Sequence, residues 1–249
     1  MIKENTKVGI AVLILAIGLG LSMLFLAVFT EIAEEALEQE AWSFDSTIIG
    51  FFNSIGSDGL DILMIVITEL GSVWFLSAFS IATILYLWTQ HKDKWGILFF
   101  ILAVGGGGLL TTLLKNLYER GRPSINPEID AIGFSFPSGH SMGSLIFYGF
   151  IIYLVMRSRV NELVKGLAIS LMAVLVVMIG LSRIYLGAHF PSDVLAGYFA
   201  GAIWLILSIL ALEWIQWQSR SQVRPVHEIR GFVAKVFRAV TKRLPAAKR

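Results

Sequence analysis

The stretch GLAISLMAVLVVMIGLSRIYLGAHFPSDVLAGYFAGAIWLILSILALEW, residues 166–214, decides the fold. Its two apolar runs, residues 166–181 and 194–214, each come near the ~20 residues a helix needs to cross a hydrocarbon layer. Between them lie Ser182, Arg183, His189 and Asp193. Charges at the edge of a membrane are costly, so each needs a partner or a function. The unit therefore reads as span, polar turn, span.

The same pattern extends outward. Residues 8–29, 72–88, 95–117 and 141–156 are further apolar runs of spanning length, which makes six in all. Of the 249 residues 56% are hydrophobic and 15% charged, and the mean hydropathy is +0.74. That composition excludes a water-soluble domain of this size and predicts an all-α, polytopic membrane protein with a six-helix bundle. The first run lacks a small-x-small cleavage pattern and reads as a retained helix rather than a signal peptide. With no cysteine, disulfides and thiol chemistry are excluded.

An even number of spans puts both termini on one side, and the linkers predict which. His91–Lys94, residues 157–165 and everything from Arg220 onward are rich in Lys and Arg. Residues 31–61 instead carry Glu31, Glu34, Glu35, Glu38, Glu40, Asp45, Asp58 and Asp61 with no Lys or Arg. The positive-inside rule makes both termini cytoplasmic. The loops after spans one, three and five then face outward, in a plasma-membrane protein with an extracytoplasmic site.

Three other segments carry local signals. In the first outer loop Ile48, Phe51, Phe52 and Ile55 have the spacing of a helix lying in the interface, although a plain connector without a catalytic part is the simpler reading. Residues 60–71 are apolar but too short to span, and extend the second span or run along the surface; Glu69 reads as a helix-start residue beside Gly71. Gly105, Gly106, Gly107 and Gly108 point to close helix packing, a bend or room for a lipid chain, since each Gly weakens a helix by about 1 kcal/mol relative to Ala, and close packing is the simplest of the three. The chain divides into a membrane domain, 1–217, and a basic tail, 218–249. In the tail Ile229, Phe232, Val233, Val236, Phe237, Val240 and Leu244 follow helical spacing beside Arg230, Lys235, Arg238, Lys242 and Arg243, the pattern of a surface anchor on anionic lipid.

On the predicted outer face the polar residues converge. Lys115 lies near the end of span three and Arg122 in the loop after it. Pro137, Ser138, Gly139 and His140 stand at the start of span four, and Ser182 and Arg183 at the end of span five. Span six opens with His189 to Asp193. Three cations, two imidazoles and a carboxylate suit a phosphate ester, whose transfer needs an in-line nucleophile, a proton donor and positive charge on the equatorial oxygens. Lys115, Arg122 and Arg183 supply the charge, each contact being worth about 4 kcal/mol at ~4 Å and an effective dielectric of about 20. Pro137, Ser138 and Gly139 read as a first helical turn, where free N–H groups attract anions. Asp193 can fix the tautomer of His189 while the other ring nitrogen attacks phosphorus, and His140 is the acid for the leaving oxygen. His91 and His227 fall on the cytoplasmic side. Taken singly, a membrane-edge cation snorkels and a helix-start acid caps; the convergence of all of them on one side is what points to chemistry.

KNLYERGRP (residues 115–123), PSGH (137–140) and SRIYLGAHFPSD (182–193) together resemble the type-2 phosphatidic acid phosphatase superfamily, which also holds vanadium-dependent haloperoxidases and glucose-6-phosphatases. The three motifs match at every position and in order. The resemblance implies a metal-independent lipid phosphate or pyrophosphate phosphatase without a cofactor. In it His189 forms a phosphohistidine, Asp193 orients that histidine, and His140 is the general acid. Lys115, Arg122, Ser138, Gly139 and Arg183 hold the phosphate. Phosphatidic acid, phosphatidylglycerophosphate and undecaprenyl pyrophosphate are the substrates it suggests. The partners are then the lipid substrate and the membrane, with no nucleic acid. A lipid-linked phosphotransferase would use the same pocket. A phospholipid transporter, the alternative from another class, would carry inverted repeats and midplane charges, and neither is seen in the sequence.

Overall fold

The computed structural model describes residues 4–38, 43–123 and 133–220. These fold into eight α-helices: α1 (Glu4–Glu38), α2 (Ser43–Ser54), α3 (Asp58–Glu69), α4 (Val73–Tyr86), α5 (Lys94–Tyr118), α6 (Gly139–Arg157), α7 (Glu162–Tyr185) and α8 (Pro191–Arg220). Six are long and apolar enough to cross a membrane, α4 doing so together with the π-helical turn Leu87–His91 that continues it. All six expected spans are present. Most of the predicted tail, 221–249, lies outside the described residues, as does the expected outer-loop acid Glu40.

A membrane bundle has no water to drive its helices together, so packing and close backbone approach hold it. α8 lies at the centre, against α1, α5 and α6, while α6 also packs on α7. Gly197 and Gly201 mark the α6–α8 crossing: a Cβ on Gly197 would come within 2.7 Å of the Ser138 carbonyl oxygen, and one on Gly201 within 3.1 Å of that of Met142. The four-glycine run of α5 divides by face. A Cβ on Gly106 would meet Trp204 at 2.5 Å and one on Gly107 would meet Ile146 at 2.5 Å, whereas Gly105 and Gly108 have nothing within 4 Å. Close packing thus accounts for two of them. The Trp204 indole N–H also donates to the Ala103 carbonyl at 2.9 Å. Phe100, Phe150, Met142 and Ile146 fill the centre, and Leu13, Met23, Trp74, Leu113 and Leu171 point outward from the bundle.

The connection between the first two spans differs from the simple readings of it. α1 continues through Glu31, Glu34 and Glu35 to Glu38, because Ile32, Ala33 and Ala36 still find a buried face there. A helix does cover Ile48, Phe51 and Phe52: it is α2, and it packs on α7 and α8. Residues 60–71, of which Ile62, Leu63 and Val66 remain exposed, do not extend the second span. They form most of α3, a separate helix against α7, which a turn at Leu70–Gly71 divides from α4. Glu69 therefore closes α3 rather than starting a helix, and the N-cap of α4 is Ser72, whose hydroxyl accepts from the Phe75 N–H at 3.2 Å. Tyr148 pins the turn by donating to the Leu70 carbonyl at 2.8 Å.

Candidate active site

The polar residues meet at one end of the bundle, where α5 and α7 finish and α6 and α8 begin. The α7–α8 corner is set by its backbone. After α7 the chain turns on Gly187, which has φ +71°, a conformation that favours glycine. The Ala188 N–H donates to the Arg183 carbonyl at 3.0 Å and the Gly187 N–H to the Ile184 carbonyl at 3.0 Å, the paired bonds that close a helix C-terminus. The corner thus presents Arg183 on the last turn of one helix and His189 two residues beyond the turn. Pro191, suited by its fixed φ, then opens α8. Asp193 sits in that first turn and accepts from the Phe190 N–H at 2.9 Å, which ties the carboxylate to the helix start.

Within this frame His189 is 2% exposed and Asp193 fully buried. The His189 Nδ1 faces Asp193 Oδ2 at 3.3 Å, and its Nε2 lies 3.3 Å from a terminal nitrogen of Arg122. One ring nitrogen is thus held by a carboxylate and the other looks toward a cation. Burial pushes the His189 pKa down to about 4, against the pull of Asp193, so the imidazole is neutral at physiological pH.

The three cations reach this point from different elements. Arg122 donates from Nε to the Gly133 carbonyl at 2.9 Å and from a terminal nitrogen to that of Ala188 at 2.7 Å. Lys115 Nζ donates to the carbonyl of Phe134 and reaches that of Ser135 at 3.4 Å. Arg183, 3% exposed, donates to the Thr68 hydroxyl at 3.0 Å, while its Nε is buried with no hydrogen-bond partner among the described residues. Lys115 and Arg183 donate to neutral oxygens, and a buried donor of that kind favours an anion.

PSGH enters from α6. Ser138, not Pro137, is the N-cap, so Pro137 stands just ahead of the helix. The Ser138 N–H donates to the Asp193 backbone carbonyl at 2.9 Å, which locks the motif onto α8. Its hydroxyl accepts from the Ser141 N–H and O–H at 3.4 and 3.0 Å. Gly139 leaves room beside Lys115, whose Cε would lie 3.9 Å from a Cβ there. His140 is half-buried, near the α3–α4 turn, where a Cβ on Gly71 would be 3.4 Å from its ring. It lies within electrostatic reach of His189, Arg183, Lys115 and Arg122. The eight residues singled out in the sequence therefore gather at one end.

Two residues there, Arg120 and Asp45, were not singled out as parts of a site. Arg120 donates to Asp193 Oδ1 at 2.6 Å, to the Ser192 hydroxyl at 2.8 Å and to Asp45 Oδ2 at 2.9 Å. Asp45, on the first turn of α2, is 3% exposed and also accepts from the Ser192 N–H and hydroxyl at 2.8 and 2.6 Å. The guanidinium of Arg120 lies 4.1 Å above the Phe190 ring. Through Asp45 the connection between the first two spans reaches Arg120 and Ser192. Two sequence signals were available: an Arg inside KNLYERGRP, and an acid two residues into an amphipathic run.

Comparison with known proteins agrees with this layout. Residues 95–217 match the family model of the PAP2 superfamily. Phosphatidylglycerophosphatase B of Bacillus subtilis is 36% identical over 122 residues, covering 47% of this chain and 58% of that protein. A lipid A 1-phosphatase of Rhizobium johnstonii is 30% identical over 127 residues, covering 47% of this chain and 48% of that one. The chain thus spans less than two thirds of the length of these two relatives. The crystal structure of a transmembrane PAP2-type phosphatidylglycerolphosphate phosphatase from Bacillus subtilis superposes with a TM-score of 0.69 at 30% identity, covering 76% of this chain and 94% of that one.

Proposed function

Since the chain belongs to the PAP2 superfamily, we propose that it is a membrane-embedded phosphatase that hydrolyses the phosphate or pyrophosphate of a lipid through a phosphohistidine. The observation that carries this reading is the setting of His189, neutral, buried, backed by Asp193 at Nδ1 and aimed through Nε2 toward a cluster of cations.

In this mechanism the substrate phosphate lies among Lys115, Arg122, Arg183 and the start of α6. His189 Nε2 attacks phosphorus in line; the N–P bond forms as the bond to the leaving oxygen breaks. His140 gives that oxygen its proton, and Asp193 stabilises the imidazolium that develops. His140 then takes a proton from water, whose oxygen attacks the phosphohistidine, and inorganic phosphate leaves. The cations act most strongly on charge that accumulates on the equatorial oxygens in the transition state. No step calls for a metal or a cofactor.

Residues 1–217 carry this chemistry, and 218–249 are a cytoplasmic surface tail. The active site faces outward across the plasma membrane. Support comes from Lys92, Lys94, Arg157 and Lys165, which stand at the bundle end opposite His189, as the positive-inside rule asks of the cytoplasmic face. The test is phosphate release by the purified protein from phosphatidic acid, phosphatidylglycerophosphate and undecaprenyl pyrophosphate in EDTA. At least one should be hydrolysed, and H189A should be inactive. Turnover that persists in H189A refutes the mechanism.

A further inference from the structure

We propose that Asp45 and Arg120 are positioning residues of this site, through which the amphipathic outer helix α2 sets the nucleophile by way of Asp193. The inference rests on the phosphatase reading above. Arg120 acts through the far oxygen of Asp193, and Asp45 acts through Arg120. Asp193 must present one defined oxygen to His189 Nδ1, and two contacts achieve this. The Phe190 N–H holds Oδ2 at 2.9 Å, and Arg120 holds Oδ1 at 2.6 Å. Without Arg120 the carboxylate could turn about its own bond, and the imidazole would lose its fixed tautomer.

Arg120 is itself placed. Asp45 takes its second terminal nitrogen at 2.9 Å, and the Phe190 ring covers its face at 4.1 Å. Asp45 in turn is locked to α8 by both donors of Ser192, at 2.8 and 2.6 Å. The result is a chain of carboxylate, guanidinium, carboxylate and imidazole running from α2 to His189. The Asp45 and Arg120 side chains are 4% and 10% exposed. Buried ion pairs of this kind seldom add net stability against an apolar alternative, yet they fix geometry, and removing one partner leaves an uncompensated charge. Elsewhere on α2 Phe51 is exposed, and Phe52 packs edge-on against Tyr185 near the α7 end. One helix thus presents an apolar side chain outward and an acid to the site.

The charge of this chain gives it a measurable signature. The His189–Asp193 pair is faced by Arg120, Arg122 and Lys115 from α5 and the segment after it, by His140 from α6, by Arg183 from α7 and by Asp45 from α2. Glu69 at the end of α3 acts on Arg183. Removing the positive charge of Arg120 lets His189 take a proton more readily. Removing the negative charge of Asp45 does the reverse.

The experiment measures kcat, KM and the acid limb of kcat/KM for wild type, R120Q, R120K and D45N, with detergent-purified protein checked by size-exclusion elution. We expect R120Q to lose about tenfold or more in kcat with KM within about twofold, since the interaction is not made with bound substrate. Its acid limb should move up by about half a pH unit or more, and that of D45N should move down. R120K, which keeps the charge, should hold the limb near its wild-type position and recover part of kcat. Limbs that stay put or move in the same direction in R120Q and D45N overturn the proposal, as does a loss confined to KM. If R120Q does not yield folded protein, D45N and R120K carry the test by the same criteria. A wild type that releases no phosphate from any lipid refutes instead the function on which the inference rests.

Discussion

The two ends of the bundle both carry charge at a membrane boundary, and they carry it differently. At the end where α6 finishes, Arg157, Glu213 and Asp93 are matched locally. Arg157 meets Glu213 at 2.6 Å, Tyr153 donates to the same carboxylate at 2.6 Å, and Asp93 caps α5 through the Gly96 N–H at 2.9 Å while accepting from Gln216 at 3.3 Å. At the end where α6 begins, Lys115 and Arg183 donate to neutral oxygens, while the buried carboxylates Asp45 and Asp193 share Arg120. Locally paired charge serves the fold. Positive charge held in place by carbonyls and hydroxyls remains available to an anion, and a low-dielectric surrounding strengthens that attraction.

If this contrast is correct, substitutions at the two ends should differ by orders of magnitude. R183A removes a buried cation from the phosphate side and should lower kcat/KM by about 10²-fold or more, the scale of a lost transition-state donor; loss of less than fivefold would break the comparison. G197A should come next, because a methyl there meets the Ser138 carbonyl at 2.7 Å and must displace PSGH from α8. Activity should drop severalfold together with thermal stability, both read on the same preparation. A subtler test is pH. His189 with its pKa held down to about 4 stays neutral above that value and gains a proton below it. Acidification should therefore leave the His189 contribution to kcat/KM intact until roughly pH 4. At the paired end, E213Q should alter stability by less than about 1 kcal/mol and leave kcat unchanged, since the Arg157–Glu213 side chains are 34% and 49% exposed. The smallest effect is expected of G105A, where nothing lies within 4 Å; a small gain in thermal stability is the expected sign.

Most of the bundle was legible in the sequence because the hydrocarbon layer imposes one rule on every span, and residues 166–214 state it twice. The three motifs were legible because His189, Asp193, Arg183 and His140 have no other reason to cluster on one side. What was not legible came from tertiary packing. α3 looked like part of a neighbouring span because its apolar run gives no hint of the turn at Leu70–Gly71. Glu69 was assigned to the wrong helix end for the same reason. The four glycines in a row read alike in sequence, and only the positions of Trp204 and Ile146 separate the packed pair from the open pair. Arg120 reads as a spacer inside KNLYERGRP, and Asp45 reads as one acid among many in an acidic connection. Their pairing joins positions 75 residues apart, a contact that periodicity and motif spacing do not encode.

The central claim is that His189 carries the phosphoryl group, and trapping that group tests it most directly. Wild-type protein should be mixed with a lipid substrate bearing labelled phosphate, quenched within milliseconds, and digested for mass spectrometry under alkaline conditions. The account predicts a phosphoryl group on His189 that is stable in base and labile in acid, and no label in H189A. Label on another residue, or turnover by H189A, would contradict it.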